Sequence, residues 1–341
     1  MSTMNAVVFT EFGGPDVLFH KTVPKPSPTP GFALIKVQAF GINHAELHMR
    51  RGEWNLYNPI SGLECVGIVE SCPSRQYLEG KVVAGLMGGI GLIRPGSYGE
   101  YVNVPVSNVV RLETSLPWEQ LAAIPETYCT AWSCLFTLLD LKASERLLIR
   151  GATSTIGQAA VHLAVDAGAY VTATTRQAHR FENLRQIGAQ EVWIEEKGLD
   201  KKHNVEPMTA AWAVDTGDGK EPRFDKTLNL IGNRVLLESI SLTRPGGRIT
   251  QAGWLGGLDP VVDFNPMLQM DPGVHFSLFH SKVLGTKEFP LKAIPLQEIV
   301  RKVEQGKWDA KPARVFEYQN IRDAHRLADE GTIGGKIVVK H

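Results

Sequence analysis

A glycine-rich segment, GATSTIG at residues 151–157, follows a short apolar run and precedes a stretch with apolar residues at helical spacing. A strand–turn–helix of this kind binds the pyrophosphate of a dinucleotide, because backbone N–H groups and the helix dipole favour an anion there. Gly151 would allow the tight turn and Gly157 a close approach of the helix to the sheet. Ser154 stands where glycine is usual, and its hydroxyl could donate to a phosphate. The expected cofactor contacts are Gly151, Ser154, Thr155, Ile156 and Gly157.

The segment 169–181, around the end of the next apolar run, distinguishes the two nicotinamide dinucleotides. NAD sites place a carboxylate there to bind the ribose 2′-hydroxyl, and this segment contains none. It contains Arg176, His179 and Arg180, and a guanidinium makes charge-assisted contacts to a 2′-phosphate. A solvated first helical turn is the alternative, but cations are unfavourable at that end of a helix. The pattern predicts NADP(H), bound by Thr175, Arg176 and Arg180.

These segments belong to a regular alternation of strand-like and helix-like stretches. Such an alternation is typical of a parallel, doubly wound sheet. The polar segment 198–224 interrupts it and is expected to be a surface loop. Ligands of doubly wound sheets bind at the carboxyl ends of the strands. The strand-like runs are residues 147–149, 170–175, 191–194, 227–231, 247–253 and 274–279. The cofactor site is therefore expected to include Asn229, Gly232, Gly253, Trp254, Phe279 and Ser281.

The rest of the chain has a different pattern. Short apolar runs separated by Gly and Pro, among them the loop PKPSPTPG at 24–31, are typical of a mostly antiparallel, β-rich unit. Helical stretches at 297–305 and 321–330 and a strand at 336–339 complete the chain. The predicted fold class is α/β, with a Rossmann sheet and a β-rich second domain. The expected early strands are residues 5–9, 33–39, 67–70 and 81–86.

Composition excludes several classes of protein. Lys plus Arg and Asp plus Glu both total 36, so no net charge attracts nucleic acid or an anionic membrane. The sequence contains no run of about 18 uncharged apolar residues, so it predicts no membrane-spanning helix. The beginning, MSTMNAVVFTEF, lacks the pattern of a secretory signal, and four cysteines are too few for a disulfide scaffold. We expect a cytoplasmic protein with reduced thiols.

Several landmarks occur in order along the chain: GINHAELHMRRG (41–52), GLECVG (62–67), GGIGLIRPGSYGEYVNVP (89–106), ETYCTAW (126–132), GATSTIG and GGKIVV (334–339). Together they resemble the zinc-free quinone oxidoreductases, the zeta-crystallin-like branch of the medium-chain dehydrogenase/reductase superfamily. The resemblance implies a GroES-like substrate domain at 1–123 and 285–341 and a Rossmann domain at 124–284. It also implies a homodimer joined through the Rossmann sheets and an active site between the domains.

The resemblance further implies that the chain holds no metal. Zinc-dependent alcohol dehydrogenases of the superfamily have a cysteine at Asn43, a histidine at Leu63 and a third ligand near Glu126. Neither Asn43 nor Leu63 is a plausible zinc ligand. His44 and His48 are four residues apart and could form a metal site with Glu64, but such a pair of histidines is more often incidental. Without zinc, the expected reaction is hydride transfer to a C=C bond conjugated to a carbonyl, with hydrogen bonds stabilising the enolate.

Three residues are the candidates for catalysis. Asn43 matches the family position that contacts the nicotinamide ribose, although an asparagine there could simply shape a turn. His48 stands where many relatives have tyrosine. It could donate a hydrogen bond to the substrate carbonyl or supply a proton, or else pack against Glu64 or the loop 54–60. Tyr128 is a further hydroxyl within reach of the cleft.

The remaining candidates line the same cleft in relatives. Thr130 matches a threonine beside the nicotinamide, or packs within its own helix. Trp54, where relatives often have tyrosine, is expected to wall the substrate pocket together with Trp254 and Phe279. Lys336 matches a C-terminal lysine and either approaches a phosphate or is an exposed strand lysine.

The sequence thus predicts an NADPH-dependent reductase of quinones or α,β-unsaturated carbonyl compounds, with a small-molecule substrate. Pocket shape decides the substrate, and one sequence does not reveal it. A reductase of enoyl groups on a polyketide-like biosynthetic intermediate is the alternative enzyme. A non-catalytic, NADPH-binding structural or RNA-binding protein is the alternative of another class, which the balanced charge disfavours.

Overall fold

A computed structural model describes residues 2–54, 56–197, 199 and 223–341. The chain forms two compact units. Unit 1 comprises Met1–Cys129 and Ser281–His341, and unit 2 comprises Thr130–His280. Unit 2 begins six residues after and ends four residues before the limits predicted for the Rossmann domain, 124 and 284, and the domain assignment stays a prediction.

The first part of unit 1 is rich in antiparallel strands. They are β1 (Thr3–Val8), β2 (Phe19–Pro24), β3 (Phe32–Ile42), β4 (Glu64–Ser71), β5 (Val82–Leu86), β6 (Tyr101–Pro105) and β7 (Val109–Arg111). Three helices accompany them: α1 (His44–Arg51), α2 (Trp118–Leu121) and α3 (Pro125–Trp132), the last continuing as a π-helix over Ser133–Leu138. The strands predicted in this part correspond to β1, β3, β4 and β5, whereas β2, β6 and β7 were not predicted.

Unit 2 is the predicted doubly wound sheet. In chain order its elements are β8 (Arg146–Arg150), α4 (Thr155–Asp166), β9 (Tyr170–Thr175), α5 (Phe181–Gln186), β10 (Glu191–Ile194), β11 (Phe224–Asn229), α6 (Leu236–Ser241), β12 (Thr243–Gln251), α7 (Pro266–Gln269) and β13 (His275–Leu278). The strand order is β10-β9-β8-β11-β12-β13, and every neighbouring pair is parallel. The order reverses between β8 and β11, which is where such sheets bind ligands. The predicted loop 198–224 lies almost entirely outside the described residues.

The last part of the chain completes unit 1. It contains α8 (Leu296–Glu304), β14 (Arg314–Glu317), α9 (Ile321–Glu330) and β15 (Ile337–Lys340). The larger sheet of unit 1 has the order β14-β15-β3-β4-β5-β7, with β6 also paired to β3. Because β15 pairs antiparallel with β3, Val338 lies opposite Gly41 and Ile337 opposite Ile42. This pairing brings Lys336, just before β15, to the end of β3.

Close approach of β3 and β4 requires a glycine. The register between the two strands shifts near Val37, and a Cβ at Gly67 would stand 2.1 Å from the carbonyl oxygen of Lys36. The core of the unit packs behind these strands and includes Cys65 at 1% exposure. All four cysteines are buried and unpaired with one another, and Cys65 and Cys129 are core residues as predicted. None of the helices in the described ranges is long and apolar enough to cross a lipid bilayer.

A buried polar group joins α9 to the strands of unit 1. The Nε2 atom of His325 lies 2.8 Å from the hydroxyl of Tyr98, and both side chains are buried. Nearby, the buried Arg50 forms an ion pair of 2.7 Å with Asp329. Burial, and next the positive charge of Arg50, lowers the pKa of His325 to about 3. His325 is therefore neutral in the folded protein at neutral pH.

We expect mild acid to destabilise the protein through His325. The unfolded side chain takes up a proton near pH 6.5 and the folded one only near pH 3. The stability that the neutral form provides is thus present above pH 6.5 and lost as the pH falls towards 3. Relative to His325→Gln, the wild-type free energy of unfolding should fall by about 2 kcal/mol between pH 7 and pH 5. Urea unfolding of both proteins measures this, and a difference that does not change with pH would contradict it.

Candidate functional site

The glycine-rich turn joins β8 to α4 and adjoins the end of β9. The N–H of Gly151 donates to Oγ1 of Thr174 (3.2 Å), and the N–H of Ala152 donates to the carbonyl of Thr174 (3.1 Å). Gly151 has a φ of +81°, which L-residues rarely adopt. A Cβ at Gly157 would stand 2.6 Å from Cα of Ala152. The predicted reasons for glycine at 151 and 157 are confirmed.

Ser154 has another role than the predicted phosphate donor. It is the N-cap of α4: its Oγ accepts the N–H of Gly157 (3.1 Å) and donates to the carbonyl of Gly151 (2.8 Å). A hydroxyl has only one hydrogen to donate, and Ser154 donates it to the carbonyl oxygen of Gly151. The backbone at Ser154 has a φ of −68°, so the position does not need glycine. Ser154 therefore shapes the turn, and its predicted contact with a phosphate stays a prediction.

The first turn of α4 leaves donors for an anion. Among the described residues, the N–H groups of Thr155 and Ile156 form no hydrogen bond. The positive end of the helix dipole lies at the same place. The turn therefore fits the pyrophosphate of a dinucleotide, as the residue pattern predicts.

The end of β9 carries the predicted basic residues. Thr175 is buried and its Oγ1 accepts the N–H of Gln177 (3.2 Å). Arg176 is exposed and Arg180 is partly buried at the end of a short 3₁₀ turn. Within the described ranges, neither guanidinium has a carboxylate partner. Two unpaired cations beside the glycine-rich turn suit a phosphate group.

A buried arginine links the strand ends around this turn. Arg150 is fully buried; its guanidinium pairs with Glu195 and, at 2.5 Å, with Glu238, and it donates to Oγ of Ser239 (3.1 Å). Glu195 also accepts the hydroxyl of Thr174 (2.5 Å). The network holds the ends of β8, β9 and β10 and the helix α6 in fixed relation. The sequence analysis missed this network; its signal was an arginine at the carboxyl end of the strand RLLIR, directly before the glycine-rich turn.

Asn229 is also a structural residue. It is fully buried, its Oδ1 accepts the N–H of Gly232 (2.9 Å), and its Nδ2 donates to the carbonyl of Gly232 (3.0 Å) and to Gln251 (3.2 Å). Because both amide hydrogens are donated within the protein, the side chain of Asn229 shapes the turn after β11. The predicted contact of this side chain with the cofactor is therefore wrong. Gly232 has a φ of +102°, and a Cβ there would stand 2.9 Å from the carbonyl oxygen of Gly253. The cofactor contacts of Gly232 and Gly253 stay predictions.

The other residues predicted to contact the cofactor at the carboxyl ends of the strands follow β12 and β13 in the chain. The ring of Trp254 lies 6.0 Å from that of His280, and Phe279, just after β13, is buried. Ser281 begins a short 3₁₀ helix and belongs to unit 1, although the predicted limit placed it in the Rossmann domain. Thr130 is buried within α3, and its contact with a nicotinamide stays a prediction.

In unit 1, Asn43 begins α1 and its amide is fully engaged. Its N–H donates to Oε2 of Glu46 (3.0 Å), and its Nδ2 donates to Glu64 (3.2 Å) and Glu46 (3.3 Å). Its Oδ1 accepts the ammonium of Lys336 (2.5 Å). The turn-shaping interpretation is therefore confirmed. Because both amide hydrogens are donated to carboxylates, Asn43 can only accept a hydrogen bond from a cofactor or substrate.

Lys336 is neither exposed nor available for a phosphate. It is 4% exposed, and its Nζ lies 2.6 Å from Oε1 of Glu64 and 3.8 Å from Oε2 of Glu126. Burial alone would lower the pKa of Lys336, but Glu64 and Glu126 outweigh burial and raise it. Both predicted roles are corrected: the ammonium already has anionic partners. Glu64 also accepts the N–H of Glu126 (3.0 Å), which fixes the start of α3.

The same cluster includes Glu46 of α1. The carboxylate is 1% exposed, and its Oε1 accepts the N–H of Leu63 (3.1 Å). Burial raises the pKa of Glu46 to about 8, against the opposing effect of Lys336. We call Asn43, Glu46, Glu64, Glu126 and Lys336 the Lys336 cluster.

The Lys336 cluster does not fit a zinc ion. Its ligand atoms are carboxylate and amide oxygens, and Leu63 is a buried apolar side chain. Burial raises the pKa of the neighbouring Cys65 to about 12, so this thiol is protonated. Over the described ranges, no group of three or more potential ligands could hold a metal. Zinc in proteins prefers thiolate and imidazole ligands, and an ammonium ion lies among the oxygens here.

His48 and Tyr128 have specific partners. Nδ1 of His48 pairs with Glu53, and its ring stacks on that of Trp54, the first residue of the loop 54–60, with 6.1 Å between the ring centroids. The catalytic role of His48 and the pocket role of Trp54 stay predictions.

Tyr128 is buried, and its ring stacks on that of Trp308 with 5.7 Å between the ring centroids. Burial raises the pKa of Tyr128 well above its usual value, so the hydroxyl keeps its proton, and its catalytic role stays a prediction.

Two protein-family models match the chain. The family described as zinc-binding dehydrogenase matches residues 155–296, and the alcohol dehydrogenase GroES-like domain matches residues 29–114. The quinone oxidoreductase of Lama guanicoe is 29% identical over an alignment of 352 positions, which covers 98% of this chain and 97% of that protein. Polyketide synthase GfsB of Streptomyces halstedii is 28% identical over 310 residues, or 91% of this chain. The chain spans only 5% of the length of GfsB.

Solved structures share the fold over the full length. An NAD-dependent alcohol dehydrogenase is 26% identical with a TM-score of 0.79, covering 99% of this chain and 100% of that one. A mycobacterial protein complexed with NADPH is 21% identical with a TM-score of 0.80, again covering 99% and 100%.

Substitution of Ser154 separates capping from ligand contact. Ser154→Ala should lower the free energy of unfolding by about 1 kcal/mol, and Ser154→Gly by only a few tenths, because glycine is an acceptable N-cap. Both variants should keep the Kd for a nicotinamide dinucleotide within about twofold, since the hydroxyl hydrogen is donated to Gly151. Chemical unfolding and fluorescence titration measure the two effects. A Ser154→Ala protein of unchanged stability that binds the dinucleotide tenfold more weakly would show that the hydroxyl contacts it.

Proposed function

We propose that this chain belongs to the quinone oxidoreductase branch of the medium-chain dehydrogenase/reductase superfamily and is a zinc-independent, NADPH-dependent reductase; the two family models and the similarity to a quinone oxidoreductase support this. Its substrates are quinones or compounds with a C=C bond conjugated to a carbonyl. The observation that carries the choice of coenzyme is a pair of guanidinium groups, Arg176 and Arg180, where an NAD site would have a carboxylate; neither has a carboxylate partner among the residues that the structure describes.

The bound dinucleotide supplies the hydride. The chain's own groups bind and orient it: the N–H groups of Thr155 and Ile156 and the dipole of α4 hold the pyrophosphate, and Arg176 and Arg180 hold the 2′-phosphate. The Arg150 network keeps the turn and the end of β9 in place for these contacts.

In this proposal, hydrogen bonds polarise the substrate carbonyl, because the Lys336 cluster provides no set of zinc ligands. His48 is the side chain we assign to it, either as hydrogen-bond donor or as proton source. Its contacts with Glu53 and Trp54 orient the ring. The dependence of kcat on pH in His48→Phe, compared with wild type, tests this assignment.

The second candidate is an enoyl reductase that acts on a polyketide-like biosynthetic intermediate. It is favoured by the similarity to polyketide synthases such as GfsB, which extends over 91% of this chain. Both candidates use the same hydride chemistry and differ in the group attached to the carbonyl.

We also propose a second copy of the chain as partner and the cytoplasm as location. In the described part of unit 2, β13 is an end strand with β12 as its only neighbour. It exposes Phe276 and Leu278, and Met267 nearby is 90% exposed. An unpaired strand with apolar side chains suits pairing with an identical strand about a two-fold axis. The molar mass in solution decides between monomer and dimer.

A substrate screen tests the proposed function. NADPH oxidation is measured with quinones, enones and enoyl thioesters, in parallel with and without a chelator. We expect turnover of quinones or enones that the chelator does not change, and no oxidation of simple alcohols with NADP⁺. Turnover of enoyl thioesters alone would support the second candidate. Alcohol oxidation that disappears when zinc is removed would refute the zinc-independent reaction.

Replacement of the two arginines tests the coenzyme. Arg176→Ala and Arg180→Ala should each remove a charge-assisted contact of about 1.5–3 kcal/mol, a 10- to 150-fold loss in NADPH affinity. NADH affinity should hardly change. Arg185→Ala is the matched control, since Arg185 lies exposed on the adjacent α5. If both coenzymes weaken equally, the arginines have a structural role only.

A further inference from the structure

A carboxylate follows the strand next to the two arginines that we assign to the 2′-phosphate. Glu195 directly follows β10, and its N–H donates to the carbonyl of Thr175 (2.8 Å), the last residue of β9. Arg176 comes directly after Thr175, so Glu195 and Arg176 follow neighbouring strand ends of the sheet. A carboxylate at such a place opposes a phosphate, because it repels the anion and competes for the guanidinium.

The carboxylate of Glu195 is held by Arg150, at the end of β8. Nε of Arg150 donates to Oε2 of Glu195 (3.2 Å) and Nη2 donates to Oε1, a bidentate contact that fixes the plane of the carboxylate. The hydroxyl of Thr174 also donates to Oε2 (2.5 Å), and the side chain of Glu195 is only 6% exposed. Among the residues that the structure describes, Glu195 pairs with neither Arg176 nor Arg180.

We propose that Arg150 sets the coenzyme preference of this protein by holding the Glu195 carboxylate away from the two arginines of the 2′-phosphate site. The inference rests on the proposed NADP(H) site. Because Arg150 is fully buried, it is a positioning residue that acts through Glu195. Without its guanidinium, Glu195 is free to pair with an arginine of the phosphate site, and its charge is no longer balanced. Both effects oppose the charged 2′-phosphate of NADPH more than the ribose hydroxyls of NADH.

A purely mechanical role of Arg150 has a different signature. The guanidinium also pairs with Glu238 on α6 (2.5 Å) and donates to Oγ of Ser239 (3.1 Å), so its loss disturbs the strand ends as well. The pyrophosphate is common to both coenzymes and binds at the same glycine-rich turn. A mechanical defect therefore weakens NADPH and NADH alike, whereas an uncompensated Glu195 weakens NADPH selectively.

Direct binding of NADPH and NADH, measured by fluorescence titration without substrate, tests the inference. Arg150→Met removes the charge, Arg150→Lys keeps it, and Arg150→Met combined with Glu195→Gln removes both charges of the pair. We expect Arg150→Met to weaken NADPH binding at least about tenfold and NADH binding less than about threefold. Arg150→Lys and the double variant should bind NADPH within about threefold of wild type.

Arg146→Met is the matched control. Arg146 begins the same strand at its opposite end, where its guanidinium lies 5.6 Å and 5.5 Å from the ring centroids of Tyr170 and Phe224. This variant should leave both Kd values unchanged. If Arg150→Met weakens the two coenzymes equally, or if the double variant does not restore NADPH binding, the inference is overturned and the proposed function stands. A wild type that binds neither coenzyme would overturn both.

Glu195→Gln alone decides the question if Arg150→Met does not fold. The amide oxygen still accepts the hydroxyl of Thr174, but the carboxylate charge is gone. The ratio of the NADPH Kd to the NADH Kd should then fall at least about twofold below that of wild type. A ratio that is unchanged or higher would overturn the inference.

Discussion

The ion pair between Lys336 and Glu64 joins parts of unit 1 that are far apart in the chain. Lys336 precedes β15, and Glu64 begins β4, with β3 between them in the sheet. The same two groups orient Asn43 at the start of α1, and Glu64 accepts the N–H of Glu126 at the start of α3. Loss of one partner of a buried ion pair typically costs about 3–5 kcal/mol. The positions of both helix starts therefore depend on this one electrostatic contact.

In unit 2, too, a buried cation pairs with carboxylates from separate parts of the chain, and there the cation is Arg150. The fully buried guanidinium of Arg150 pairs with the partly buried carboxylates of Glu195 and Glu238 near the glycine-rich turn. Each carboxylate comes from a different element, and Thr174 connects the network to the N–H of Gly151. The backbone donors of the turn are thereby held before any ligand is bound. Such preorganisation reduces the free energy that a ligand must supply for ordering.

The sequence predicts local features of this protein better than long-range ones. The roles of Gly151 and Gly157 follow from a turn that local spacing defines, and the doubly wound sheet follows from periodicity. The short strands β2, β6 and β7 were missed, because three to six residues carry little periodic signal. The structural roles of Ser154 and Asn229 were missed for another reason. A polar side chain in a motif can serve the ligand or the backbone, and only atomic positions show which.

Lys336 was misinterpreted because its partners are more than 200 residues away. Residue type and an adjacent apolar strand are equally consistent with an exposed lysine, a phosphate contact or a buried ion pair. Pairing of β15 with β3 decides among them, and that pairing is a property of the folded sheet. The same holds for Arg150, whose burial depends on two glutamates from other elements.

The strand β15 also has a consequence for synthesis on the ribosome. It lies between β14 and β3 in the larger sheet of unit 1, so the sheet cannot close until Lys340 has left the exit tunnel. Unit 2, whose residues are contiguous, can fold earlier, because domains generally fold as units during translation. Until then, the carboxylates of Glu64 and Glu126 lack the ammonium of Lys336 as a partner. The edge of β3 that later pairs with β15 is also unpaired. Unpaired edges of this kind are where nascent chains aggregate, so unit 1 is the part of this protein that should depend most on chaperones.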